Sequence, residues 1–289
     1  MVWSCLVSIL PGMAQTEKLT DYVNPFVGTD GYGNVYPGAQ IPFGGIQISP
    51  DTDSRFYDAA SGYKYNHLTL MGFSLTHLSG TGIPDLGDFL FIPGTGEMKL
   101  EPGTHEDPDQ GYRSCYSHDK EWASPNYYAV ELADYGVKAE MTSGVRSGMF
   151  RFTYPESDNA FIMIDMNHTL WQSCEWSNLR MINDSTITGY KLVKGWGPER
   201  HVYFTATFSK KLTGLRFVQD KKPVIYNTSR FRSSYEAWGK NLMACISFDT
   251  KAGEEVIVKT AISSVSTNGA KNNMAELAGL AFDELKAKG

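Results

Sequence analysis

The feature that most constrains this chain is an unbroken succession of short β-type runs with no helical pattern between them. Tyr128–Ala133 and Val137–Thr142 flank Asp134-Tyr135-Gly136 and predict a hairpin. Met149–Tyr154, Ala160–Asp165, Thr186–Tyr190, Val202–Phe208, Leu215–Val218, Val224–Tyr226, Met243–Phe248 and Val256–Ile262 follow as strands. They are rich in β-branched and aromatic residues, with Gly, Asp, Asn or Lys at the turns. Parallel strands need a crossover of about a dozen residues, usually a helix, and none is visible here. The chain is therefore predicted to be all-β, a large antiparallel β-sandwich. Its 289 residues suffice for one such domain.

The flanks of this region read differently. Asp21 to Ile48 is rich in turn signals: Asn24-Pro25, Pro37-Gly38, Ile41-Pro42 and Gly44-Gly45. From Gly72 to Gly96, short apolar pieces alternate with Ser-Gly-Thr-Gly and Ile-Pro-Asp, which predicts loops carried on strands. At the other end, Met274, Leu277, Ala278, Ala281 and Leu285 recur at helical spacing, with Asn268 as N-cap. The expected organisation is a sandwich over 16–268 and one amphipathic linker helix over 269–289, packed weakly or projecting toward a further domain. Residues 1–15, MVWSCLVSILPGMAQ, read as the tail of a secretory signal whose basic start is absent, which predicts export. The apolar run Val2–Leu10 is too short to span a bilayer.

Composition narrows the function. A net charge of −6 and the lack of a basic stripe with interleaved aromatics argue against nucleic acid. Aromatic residues make up 13%, which suits strand cores and also a site where the apolar face of a pyranose stacks on a ring. Cys5 falls in the export segment. Cys115, Cys174 and Cys245 show neither CxxC nor paired spacing and read as small hydrophobes in strands, not as zinc ligands or a disulfide framework.

Several tempting motifs fail on spacing. Gly28, Gly31 and Gly33 lack GxGxxG and a following Lys-Ser/Thr, so they form no nucleotide loop. Asp51-x-Asp53 opens like a calcium loop but has Phe56 and Gly62 where Gly and Glu are required, and Asp107-x-Asp109 fails similarly. His67 and His77 show no metal spacing and read as hydrogen-bonded structural histidines. There is no GxSxG elbow. Glycoside hydrolysis needs two carboxyl groups flanking the bond. Asp58, Asp85, Asp88 and Glu175 are candidates, with no pair standing out. The residues alone give a β-sandwich with a polar, aromatic, Gly-rich loop site suited to a sugar.

Two segments go further. DYVNPFVGTDGYGNVYPGAQIPFGGIQISPDT (Asp21–Thr52) and SGYKYNHLTLMGFSLTHLSGTGIPDLGDFLFIPGTG (Ser61–Gly96) resemble the opening of glycoside hydrolase family 92, and HLSGTGIPDLGD (His77–Asp88) is the most specific part. RSGMFRFTYPE (Arg146–Glu156), GYKLVKGWGPERHVYFTATFSK (Gly189–Lys210) and VKTAISSVSTNGAKNN (Val258–Asn273) continue the likeness in order. The resemblance implies a galactose-mutarotase-like supersandwich followed by a C-terminal (α/α)6 barrel, together forming a secreted or periplasmic exo-α-mannosidase. It implies an inverting reaction by a Glu acid and an Asp base, about 6.5–9.5 Å apart to admit water. It also implies calcium at the domain interface. In the family those carboxyls and most of the calcium shell belong to the barrel, so no catalytic or metal-binding residue is assigned within this chain.

The sandwich is expected to supply pocket wall through loops Gly28–Asn34, Phe56–Tyr63 and His77–Asp88. The candidate substrate-binding residues are Phe56, Tyr57, Asp58, Ser61, Tyr63, His77, Ser79, Gly80, Asp85 and Asp88. Family members often carry Trp-Asp-x-Cys before Ser-Gly-Tyr, where this chain has Phe56-Tyr57-Asp58-Ala59-Ala60, and often His where Phe150 stands. The first departure bears on contacts beyond the terminal sugar. Competing readings are a non-catalytic carbohydrate-binding module, which needs a complete site within residues 21–268, and a mutarotase-like epimerase, which needs its own acid/base pair.

Overall fold

The computed structural model describes residues 18–55, 57–225 and 235–289. The expected export segment 1–15, the site candidate Phe56, the side chain of Asp58 and the strand end Tyr226 lie outside the described residues. Two large sheets face each other. The nine-stranded sheet runs, edge to edge, Glu236–Gly239, Ser173–Asn183, Thr186–Lys194, Arg200–Phe208, Glu254–Ser263, Ser147–Tyr154, Val137–Ser143, Tyr127–Leu132 and Glu121–Ser124. The seven-stranded sheet runs Ser49–Asp51, Gly72–Ser74, Leu90–Thr95, Ser157–Asp165, Leu242–Thr250, Arg216–Gln219 and Lys222–Pro223. Thr69–Leu70 and Ser114–Cys115 form a small extra pair. Every strand pairing among the described residues is antiparallel, as expected.

Strand alternation explains the layering. In Ser147–Tyr154, Phe150, Phe152 and Tyr154 point between the sheets, while Met149 and Arg151 point to the opposite face. Phe91 of the smaller sheet meets Phe150 and Phe204 of the larger, with ring centroids 4.9 and 6.3 Å apart. Such tilted and edge-on aromatic pairs contribute beyond their buried area. The predicted hairpin closes with Leu132 opposite Val137, and Gly136 takes φ +62° in its turn. Cys115, Cys174 and Cys245 are free thiols within strands.

Three features depart from the expectations. The strand expected over Val224–Tyr226 forms instead at Lys222–Pro223, because the tight Asp220-Lys221 turn sets Gln219 opposite Lys222 and Val218 opposite Pro223. Ser173–Asn183 is an eleven-residue strand that sequence reading leaves unassigned. Its outward residues include Trp176, Arg180 and Ile182, all exposed, so the run SCEWSNLRMIN lacks the apolar density of its neighbours. Pairing on both sides, to Thr186–Lys194 and Glu236–Gly239, holds it in place. The tail is not one helix. It forms α1 (Thr267–Asn273), a 3-10 turn (Met274–Leu277) and α2 (Phe282–Lys288). The break falls at Gly279, whose φ of +70° is left-handed. The cap of α1 is Ser266, whose hydroxyl accepts from Gly269 N–H, and not Asn268.

Nor does the tail project. Leu277, Phe282 and Leu285 bury against Met149 on the outer face of the larger sheet. The Glu276 carboxylate accepts from Val145 N–H (2.5 Å), Arg146 N–H (3.1 Å) and the Ser147 hydroxyl (2.6 Å). The Arg151 guanidinium lies over the Phe282 ring and pairs with Asp283. Apolar burial and charge-assisted bonds thus clasp the tail to the sheet.

Candidate functional site

The site is organised around a carboxylate at a strand end. Asp51 closes the strand Ser49–Asp51 and is fully buried. Its Oδ1 is 2.8 Å from His77 Nε2, and its Oδ2 is 2.7 Å from His168 Nε2. Burial alone would raise its pKa, but the charge on His77 and the bonds from both imidazoles hold the carboxyl well below the usual range. Gly62 sits directly over this group with φ +88°, and a Cβ there would lie 2.1 Å from Asp51 Oδ1. This close approach is why Ser61 and Tyr63 flank a glycine.

A second buried carboxylate anchors the same region. Asp88 accepts from the Thr76 hydroxyl at 2.7 Å, from Arg200 Nη1 at 2.5 Å and from Arg200 Nη2 at 3.1 Å. Lys191 Nζ, itself fully buried, is 3.2 Å from its other side. Burial works against the charge, but Lys191 and Arg200 win and keep the carboxyl well below its ordinary range. Lys191 also donates to the His168 carbonyl at 2.6 Å. The loop His77–Asp88 therefore grips the 168–172 segment from both of its ends. In between, Leu170 N–H donates to Leu86 O and the Gln172 amide donates to Pro84 O.

Beside this scaffold opens a cleft of about 1040 Å³. His168, Thr169, Trp171 and Gln172 form one wall, with Arg55, Asp165 and Lys240 among the facing groups. Trp171 is about half exposed and holds φ +67°, an unusual backbone state for a bulky residue. Its ring meets Tyr57 edge-on, centroids 5.3 Å apart. The cleft's carboxyls are engaged: Asp165 accepts from the Tyr112 hydroxyl at 3.1 Å, Asp220 accepts from the Asn241 amide at 2.8 Å, and Glu101 pairs with Lys221.

The expected pocket residues scatter over this arrangement. Tyr57 stands at the cleft beside Trp171, next to Ser54 and Arg55 in its wall. Ser61 and Tyr63 are buried, the Tyr63 hydroxyl donating to Glu121. His77 and Asp88 lie in the buried networks described above. Asp85 accepts from Leu86 N–H at 2.6 Å and Trp196 N–H at 3.2 Å. Ser79 and Gly80 are exposed, Gly80 with φ +72° and its N–H donating to Asn34 O, which ties the loops 77–88 and 28–34 together. Glu175 pairs with Lys240 at 3.0 Å. Neither 28–34 nor 77–88 lines the cleft itself. His168 and Trp171 were missed in sequence. The signal available was the run His168-Thr169-Leu170-Trp171 directly after a predicted strand, where an aromatic falls outside any alternation.

Calcium finds no cage among the described residues. No group of three or more His, Cys, Asp or Glu among the described residues could hold a metal ion. Asp51, Asp53 and Asp88 are each matched to His, Arg or Lys. Among the described residues, every carboxyl with a displaced pKa is displaced downward.

The fold and site together define an antiparallel two-sheet sandwich with a polar cleft that Trp171 and Tyr57 rim. The family described as "Glycosyl hydrolase family 92 N-terminal domain" matches residues 22–263, so the chain belongs to glycoside hydrolase family 92. It is similar to a family GH92 α-mannosidase of Bacteroides thetaiotaomicron solved with mannoimidazole, at 96% identity and a TM-score of 0.92 over 94% of this chain and 36% of that one. The GH92 family glycosyl hydrolase ccman5 is 27% identical, with a TM-score of 0.78 over 93% of this chain and 36% of that one. An uncharacterized secreted glycosidase of Arthroderma benhamiae is 30% identical over 139 residues, 47% of this chain and 17% of the relative. The chain thus spans about a third or less of the length of these relatives. Among the described residues no helix is long and apolar enough to cross a membrane.

Proposed function

We propose that this chain is the N-terminal, pocket-forming domain of an inverting exo-α-mannosidase that is secreted or periplasmic and acts on α-mannoside glycans. The observation carrying this reading is the 96% identity to an α-mannosidase whose structure holds mannoimidazole. The sandwich spans residues 16–268, and 269–289 leads into an (α/α)6 catalytic barrel that supplies the acid, the base and most of the calcium shell. Candidate wall groups are Phe56, Tyr57, Asp58, Ser61, Tyr63, His77, Ser79, Gly80, Asp85 and Asp88. Those with outward-facing atoms meet sugar, and the buried ones shape the loops. The test compares the whole enzyme with a protein of residues 16–289 alone on aryl α-mannosides and mannobiose. The whole enzyme is expected to turn over and release β-mannose first, as inversion requires, and the domain alone is expected to be inert. Turnover by the domain that one of its own carboxyls controls would overturn the proposal.

A further inference from the structure

The imidazole of His168 is a buried polar group to which the family reading gives no role. Its side chain is 3% exposed, yet the residue lines the large cleft. The hydrogen-bond network fixes which atom it offers there. His77 Nδ1 lies 2.8 Å from the carbonyl oxygen of Gln47, and its Nε2 lies 2.8 Å from Asp51 Oδ1. A carbonyl and an ionised carboxylate only accept, so both ring nitrogens of His77 carry hydrogens. The Ser74 hydroxyl oxygen, 3.1 Å from the same Nε2, is on the accepting side of that contact. His77 thereby neutralises Asp51 in place, and His168 needs only one proton, on the Nε2 that donates to Asp51 Oδ2. The hydrogen placement leaves Nδ1 as a lone-pair acceptor. Among the described residues no protein atom bonds to Nδ1, and it is not one of the buried polar atoms left without a partner. It is open to the cleft.

We propose that His168 is a specificity-determining residue whose Nδ1 accepts a hydrogen bond from a sugar hydroxyl bound beside Trp171. This rests on the carbohydrate reading above and assigns a group within it. The support is unusually complete for a mere packing histidine. Asp51 orients the ring, Lys191 holds its carbonyl, and Asp88 holds Lys191. The segment His77–Asp88 therefore acts as the brace for His168, with His77 at one end and Asp88 at the other. An acceptor-only nitrogen selects a hydroxyl donor and leaves an ether or a deoxy position unrewarded.

The test uses the whole enzyme carrying His168→Gln. The Gln amide can still donate to Asp51 but places no acceptor where Nδ1 stood. On mannobiosides lacking one hydroxyl at a time, on either sugar, kcat/KM of the unmodified enzyme drops at each hydroxyl that is held. His168→Gln is expected to lower kcat/KM about two- to tenfold on the parent substrate and to cause no further loss on one particular deoxy substrate. Equal losses on every substrate, or no loss on any, would overturn the assignment. Should the variant fold poorly, ring 15N NMR of the unmodified enzyme titrated with methyl α-mannoside decides. A shift of His168 Nδ1 on saturation supports the inference, and an unmoved Nδ1 sinks it. An unmodified enzyme inactive on all α-mannosides would instead remove the functional reading, which separates the two failures.

Discussion

At the residue scale the molecule shows how a small side chain can matter through what it does not contain. Gly62 occupies a left-handed conformation, and its missing Cβ leaves room for Asp51, which in turn holds two histidines from distant parts of the chain. Gly62→Ala therefore adds both backbone strain and a steric conflict with a buried, bonded carboxylate. The expected cost is about 2–4 kcal/mol, read as a lowered urea midpoint at unchanged slope. A loss under about 0.5 kcal/mol would mean that Asp51 yields and the cluster is not rigid. Of the candidate residues, Tyr57 could be recognised because an aromatic in a turn-rich loop has no core role. His77 and Asp88 were recognisable as special but not as braces, since their partners Asp51, Lys191 and Arg200 lie 26, 103 and 112 residues away in the chain.

Among the elements, the tail and the sheet it covers depend on one ionic network. Glu140 accepts from Arg151 through both carboxylate oxygens, each at 2.9 Å, and from the Tyr127 hydroxyl at 2.6 Å, while Arg151 reaches Asp283 of α2. Burial opposes the charge on Glu140, but the Arg151 and Tyr127 bonds prevail and lower its pKa from 4.5 to about 2. A depressed folded pKa means that the unfolded chain binds the proton first. The stabilisation is thus fully present above about pH 5 and is lost as pH falls from about 4.5 toward 2. Urea unfolding across that window should show stability declining toward acid, with the acid-dependent part reduced in Glu140→Gln. An unchanged pH profile in that variant would remove Glu140 from the account. The helical spacing of Met274 to Leu285 marked Leu277 and Leu285, which are buried, and Met274, which is partly buried, whereas Ala278 and Ala281 are exposed and Phe282 packs instead. It did not mark the Gly279 break, nor the clasp, because a partner surface on the same chain cannot be read from periodicity alone.

On the scale of the whole molecule, Asp51, Asp53 and Asp88 are matched to cations, and the described residues hold no cluster of three or more His, Cys, Asp or Glu suited to calcium. Millimolar Ca²⁺ or EDTA should therefore leave the melting temperature of residues 16–289 unmoved, because a ligand stabilises only a state that binds it. In the whole enzyme, chelation should abolish α-mannoside turnover. A calcium-dependent rise in the melting temperature of the domain would place a site here after all. The sequence by itself determined the all-β class, the antiparallel pairing and most strand positions, because strands are encoded locally by alternation, β-branched residues and turn chemistry. It also carried the family likeness, which a contiguous motif such as His77–Asp88 conveys without any knowledge of shape. Only the tertiary structure decided that the polar strand Ser173–Asn183 forms, that the tail folds back onto Met149, and that His168 and Trp171 face a cleft. The reason is the same in each case. These features depend on partners far apart in sequence, and a buried charge such as Asp51 or Lys191 becomes affordable only when folding delivers its counter-charge and hydrogen bonds to the same few ångströms.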